Sequence, residues 1–171
     1  MRDHRGFTLL EILIALAIIT ILSVIGISNF QEWIYQNNAS GFRREMLSEL
    51  QQARIRASSA TTRYRLVIDL GDHIATLQTL IGSTWSDARP PVRAPFKSRI
   101  ASVTPSPGSA VTSGRYAMVF NPSGEVYGQT DIANDNTIAA LDNATILLTG
   151  ASSSDNGSIT VFGWTGKSRL N

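Results

Sequence analysis

The segment FTLLEILIALAIITILSVIGISNF, residues 7–30, limits what this chain can be more than any other feature. Its 24 residues carry one charge, Glu11. Coiled as a helix at about 1.5 Å per residue it measures about 36 Å, enough to cross a hydrocarbon core of about 30 Å. A cleaved secretory signal is the competing reading. Against it, the apolar run exceeds the usual ~7–15 residues of a signal core and begins only after a short leader. Its end, ISNFQEW, also lacks a small-x-small cleavage pattern. A helix buried in a soluble globule would need more surrounding chain than remains. Residues 7–30 are therefore expected to span a membrane.

Flanking charge gives the direction. Arg2 and Arg5 precede the span, and no Lys or Arg follows until Arg43. The positive-inside rule then leaves the N-terminus cytoplasmic and the rest of the chain outside. Glu11 is the anomaly, because an intramembrane carboxylate costs about 2–3 kcal/mol even on lenient insertion scales. Headgroup contact one turn from the interface would relieve that cost, and so would a cationic partner.

Gly6-Phe7-Thr8-Leu9-Leu10-Glu11 resembles the processing site of type IV prepilins and type II secretion pseudopilins: a short basic leader ending in Gly, then Phe, then Glu in the first turn of an unbroken apolar helix. The resemblance implies a prepilin peptidase that cuts between Gly6 and Phe7, removes the leader 1–6 and N-methylates Phe7. It also implies that Glu11 pairs with the new terminal amine of a neighbouring pilin or pseudopilin subunit and so sets axial register. A buried carboxylate is tolerable beside a matched ammonium and costly alone. Major pilins often carry a helix breaker in the second half of this segment, where Thr20 and Ser28 stand here. Gly26 is the one breaker present, so less melting of the helix is expected.

Beyond the span, Phe42, Met46, Leu50, Ala53 and Ala57 recur at helical spacing and form one apolar stripe. Arg43, Arg44, Glu45, Glu49, Arg54 and Arg56 are read as the opposite, solvated face. The expectation is one long helix from Thr8 to Ala60, its continuation 31–62 amphipathic, with a weak point at Asn37-Asn38-Ala39-Ser40-Gly41. From residue 63 the period becomes two. RYRLVIDL (63–70) and HIATLQTL (73–80) read as one hairpin. RYAMVFN (115–121) with EVYG (125–128), and ATILLTG (144–150) with SITVFGW (158–164), read as two more. A short strand is expected near Ile100 to Val103, followed by a flexible loop at 104–114. The predicted fold is α+β: a long helix on an antiparallel sheet, the β-rich domain covering 63–171.

This half resembles the GspH/FimT family of minor pilins and pseudopilins. The loose pattern is Leu50-Gln51-Gln52-Ala53-Arg54 at the helix end, Phe120-Asn121-Pro122-Ser123-Gly124 as a turn, and a closing strand pair, Ile159 to Arg169, with Gly166 before its basic end. The resemblance implies a non-enzymatic filament subunit that starts in inner-membrane lipid and then joins a type IV pilus or a type II pseudopilus.

Other chemistries find little material. There is no cysteine and only His4 and His73, so a catalytic triad or a His-rich metal site is not expected. Asp131, Asn134, Asp135 and Asn136 could supply oxygens to Ca²⁺, as a loop does in some major pseudopilins, but they fit no EF-hand spacing and read better as a polar loop. No phosphate-binding or dinucleotide motif appears, and no cofactor is expected. Formal charge is +2, but residues 43–115 carry a net of +6 and residues 116–171 a net of −3. Gly166-Lys167-Ser168-Arg169 resembles the Gly-Arg-x-Arg tail with which some FimT-type pilins bind DNA. Lys167 and Arg169 could each reach a phosphate, with Arg63 and Arg65 adding to the patch. A solvated basic strand end is the alternative, and Lys167 lacks the bidentate fork of an arginine.

Overall fold

The computed structural model describes residues 8–133 and 137–171, apart from the side chains at 24–26, 28 and 29. The chain divides into two compact units, Met1–Tyr35 and Gln36–Asn171. The first is the N-terminal part of helix α1, Leu9–Ala60. Its described apolar residues, from Leu9 and Leu10 to Ile27 and Phe30, are exposed. Thr20 and Ser23 donate their hydroxyls to the carbonyls of Leu16 and Ile19, one turn back, so these two polar groups have partners inside the helix. Among the described residues no helix is long and apolar enough to cross a membrane. Five side chains inside the apolar segment lie outside that description.

In the second unit α1 buries the predicted stripe: Phe42 is 3% exposed, and Met46, Leu50, Ala53 and Ala57 are fully buried. The expected weak point at residues 37–41 is absent, for the helix runs through it unbroken. Tertiary contacts override the poor propensity. Ala39 is buried, and the Arg43 guanidinium clasps the domain by donating to the Asp155 carbonyl at 2.6 Å and to Ser40 Oγ at 2.9 Å. The helix stops at Thr61, whose φ of 51° breaks the helical pattern. Glu49 is not on a solvated face. It is buried and paired with Arg89 at 2.9 Å.

The predicted hairpins form, as β1 (Tyr64–Asp69) with β2 (Ile74–Ile81), then β6 (Arg115–Phe120) with β7 (Val126–Gln129), and β9 (Asn143–Thr149) with β10 (Gly157–Phe162). They belong to two antiparallel sheets, not one. The first has seven strands among the described residues, in the order β3-β2-β1-β6-β7-β8, with β4 also on β2. The second has the order β11-β10-β9-β5. Four short strands, β3 (Thr84–Asp87), β4 (Val92–Arg93), β8 (Ile138–Ala140) and β11 (Ser168–Leu170), carry too little pattern to be read in advance. The loop expected from residue 104 begins later, because β5 runs Arg99–Ser106, and Val111 exchanges two backbone bonds with Val103. Leu66 and Ile68 of β1, Met118 and Phe120 of β6, and Ile146 and Ile159 of the second sheet join the helix stripe in one buried cluster.

The sheets are stitched at Gly163. Its carbonyl accepts the Val126 amide at 2.6 Å, and its own amide donates to the Asp142 carbonyl at 2.9 Å. A Cβ there would lie 1.6 Å from the Leu141 oxygen, so only glycine fits.

Candidate functional site

Gly6 and Phe7, the expected cleavage pair, lie outside the described residues. The described chain starts beside it, at Thr8, which caps α1. The Thr8 hydroxyl accepts the Glu11 amide at 3.2 Å, and the Thr8 carbonyl accepts the Ile12 amide at 3.3 Å. Thr8-Leu9-Leu10-Glu11 has the spacing of a capping box, in which threonine satisfies an orphan helix amide and an acid follows at the third helical position. Glu11 therefore sits in the first turn, where the positive end of the helix dipole favours a carboxylate. It is exposed. The side chain that sequence reading sets apart for a partner is left available by the fold.

The basic end is a paired strand. Strand β11 lies along β10, with Arg169 opposite Thr160 and Ser168 opposite Val161. Lys167 and Arg169 are both exposed, and as alternate residues of an extended segment they share a face. Arg65 does not join them. It is buried, its Nε donates to Gln78 Oε1 at 2.8 Å, and its Nη1 donates to Gln129 Oε1 and the Ile132 carbonyl, both at 3.1 Å. Its guanidinium also lies 4.3 Å from the Trp85 ring centre. Arg65 is a strut that holds the β7–β8 loop on the first sheet. Arg63, two residues earlier, is exposed.

The remaining candidates are placed only in part. His73 is half-buried in the turn before β2 at φ 53°, not within a strand, and its carbonyl accepts the Ala94 amide at 3.0 Å. Asp131 accepts the Ala133 amide at 3.1 Å, while Asn134, Asp135 and Asn136 fall outside the described residues. Among the described residues no group of His, Cys, Asp or Glu is placed to hold a metal ion.

The three loosely matched pieces of the second half converge. Gly166, at φ 61°, stands where an added Cβ would be 2.8 Å from the Gly124 carbonyl oxygen and 3.1 Å from Arg54 Cδ. Gly124 closes its own turn at φ 95°, donating its amide to the Asn121 carbonyl at 2.9 Å. Helix end, turn and closing hairpin thus meet at one corner, next to the Gly163 stitch. Residues missed in the sequence reading surround it: Trp164 is 75% exposed, and beside it stand Glu125, Tyr127 and Leu141. Trp164 was read as the end of a strand, but β10 ends at Phe162, and a tryptophan at a predicted strand end was the available signal.

Compared with known proteins, residues 1–27 match the family described as the prokaryotic N-terminal methylation motif. The chain carries that motif. No curated protein matches it in sequence. Two structures of the minor pseudopilin EpsH from the type II secretion system of Vibrio cholerae superpose on it. One has a TM-score of 0.57 at 12% identity and covers 79% of this chain and 94% of that one. The other has a TM-score of 0.54 at 13% identity and covers 78% and 96%. The type IV minor pilin FimU of Pseudomonas aeruginosa superposes with a TM-score of 0.50 at 12% identity, over 82% of this chain and 90% of FimU. The fold is that of a minor pseudopilin or minor pilin.

Proposed function

We propose that the chain is a minor subunit of a type IV pilus or a type II secretion pseudopilus. It is made as a prepilin, held in the inner membrane by residues 7–30 with its domain on the periplasmic side, and then drawn into the filament. The observation that carries this reading is the union, in one chain, of a methylation motif over residues 1–27 and a minor-pseudopilin fold over most of the length. Its role is structural, not catalytic.

In this reading prepilin peptidase cuts between Gly6 and Phe7 and methylates the Phe7 amine. The capped helix start then holds Glu11 one turn from the new terminus, ready to pair with the ammonium of an adjacent subunit. Mass spectrometry of the membrane protein should find N-methyl-Phe7 as the first residue, and Gly6→Ala should keep the leader. Intact Met1 in assembled filaments refutes the proposal. A second reading, capture of DNA by a surface pilin, is supported by the shared face of Lys167 and Arg169.

A further inference from the structure

Trp164 is the large apolar side chain of the second unit with the greatest exposure among the described residues, and its position is fixed by backbone, not by packing. Gly163, just before it, is bonded to Val126 on one side and to Asp142 on the other. Two residues later the Gly166 amide donates to the Phe162 carbonyl at 2.8 Å. The turn that carries the indole is therefore pinned at both ends. Among the described residues Trp164 has no hydrogen bond and no ring contact. A tryptophan held in water on a rigid support gives up hydrophobic stabilisation with no gain inside this chain.

The indole stands at the rim of a shallow cleft between the two sheets. Exposed Ala140 and half-buried Tyr127 and Glu125 line it together with Trp164, while Val126 and Leu141, 2% and 6% exposed, close it from beneath. Glu125 Oε2 accepts the Tyr127 hydroxyl at 2.9 Å and Ser123 Oγ at 3.3 Å. Its other oxygen has no partner among the described residues, and neither described salt bridge involves it. The Glu125 hydrogen bond, then burial, pushes the Tyr127 hydroxyl above its ordinary value, so the phenol stays a donor that fixes the carboxylate. Arg63 is near enough to Tyr127 to act slightly the other way, yet it forms no ion pair with Glu125.

An apolar floor, an aromatic wall and one fixed, half-open carboxylate define the ligand. We propose that this cleft receives a basic side chain, arginine or lysine, presented by a protein partner. The aliphatic stem lies on Ala140 and the Tyr127 ring, and the cationic head meets the free Glu125 oxygen and the face of the Trp164 ring. A neutral apolar residue would leave the carboxylate oxygen desolvated without a donor, and an acidic residue would face like charge. The inference stands on residues of the second unit alone and does not require the processing reading.

The test uses the full chain in detergent micelles with the tryptophan indoles labelled for NMR. The Trp164 signal is assigned by its loss in Trp164→Phe, and Trp85, packed on Arg65, reports the fold. The probes are N-acetyl-arginine amide and its uncharged isostere N-acetyl-citrulline amide. The arginine amide should shift the Trp164 indole along a saturating curve and leave Trp85 unmoved, and the citrulline amide should do neither. Glu125→Gln, which keeps the Tyr127 acceptor, should weaken the arginine amide by about fivefold or more. Equal shifts from both probes, an unmoved Trp164, or unchanged affinity in Glu125→Gln would overturn the proposal. Should that variant disturb Trp85, Trp164→Leu read at the Gly163 amide replaces it, and undiminished affinity there overturns it equally.

Discussion

Gly166 and Gly124 touch backbone to backbone, a Cβ on Gly166 falling 2.8 Å from the Gly124 carbonyl oxygen. One glycine closes the second sheet's last hairpin and the other closes the turn before β7, so the contact locks the two sheets beneath Arg54 of the helix. Glycines in this domain consequently differ in what a methyl would meet. Gly82 has φ 64° but open space around it; Gly166 adds a carbonyl in its way; Gly163 would place the methyl inside the Leu141 carbonyl.

Thermal unfolding of three alanine variants should follow that order. Gly82→Ala should cost about 1 kcal/mol, from the left-handed backbone alone. Gly166→Ala should cost about 2–3 kcal/mol, adding the forced movement of the turn. Gly163→Ala should cost the most, because the clash is with backbone and both stitching bonds must move. Equal melting temperatures for Gly82→Ala and Gly166→Ala would show that the corner contact bears no strain.

The pair of buried Glu49 with Arg89, whose side chain is 37% exposed, fastens the β3–β4 connection to α1, with Gln52 Oε1 accepting from the same guanidinium at 2.5 Å. Arg89→Met strands a carboxylate that is 5% exposed and should destabilise by about 2–3 kcal/mol. Adding Glu49→Gln should return part of that loss, since a neutral amide is cheaper to bury. Additive losses in the double variant would mean that the pair does not couple.

Asp69 accepts from Arg115 Nε at 2.8 Å. That hydrogen bond, helped by the Asp72 and Gly71 amides against burial, holds its carboxyl below the usual carboxylate range. A folded pKa below the unfolded value of about 3.9 contributes stability above that pH, and the contribution is lost as pH falls through the folded pKa. With Arg115 side chain 65% exposed, the effect should stay below about 1 kcal/mol. Asp69→Asn keeps the Oδ1 acceptor for both amides, so it should flatten the fall in melting temperature below about pH 4 without disturbing the turn. An unchanged acid slope would assign the sensitivity elsewhere.

What the sequence made legible follows from the range of each interaction. The helix stripe and the three hairpins depend on neighbours within a few turns or across a short loop, and periodicity records them. The continuity of α1 at Ala39 depends on Arg43 reaching Asp155, 112 positions away, which no local propensity encodes. The division into two sheets is set by strand pairings between distant segments, such as β5 with β9, and strands of two to four residues hold too few side chains to show a period. Arg65 looked like surface charge in an alternating strand. It is buried because Gln78, Gln129 and Ile132 from three other segments supply its acceptors. At the N-terminus the cap is also local, Thr8 and Glu11 lying three residues apart, yet the sequence reading began the helix at Thr8 without assigning it as a cap.

Glu11 should matter for assembly and not for insertion. Glu11→Ala should reach the membrane in normal amount and lose its leader, because removing a charge eases insertion and the cut lies five residues earlier. Incorporation into filaments should fall by about tenfold or more, leaving an ammonium on the neighbouring subunit without its partner. Glu11→Asp should recover little, being one methylene short of the same reach. Normal incorporation of Glu11→Ala, counted in sheared filaments, would end the register role.

Binding of DNA gives the last discrimination. Burial of Arg65 leaves the exposed Lys167, just before β11, and Arg169 within it as the cations of this patch. Two phosphate contacts release few counterions, so the full chain in micelles should retard duplex DNA weakly, with a log–log salt slope of about −2. Lys167→Ala with Arg169→Ala should abolish that retardation equally for every sequence, since phosphate contacts carry no base information. A slope steeper than about −5 would require about four further cations, which β11 does not have. Tight binding of that kind, lost in the double variant, would move the reading from a filament subunit to a DNA-capturing pilin. Absence of retardation even at low salt would leave Lys167 and Arg169 as the solvated end of a strand.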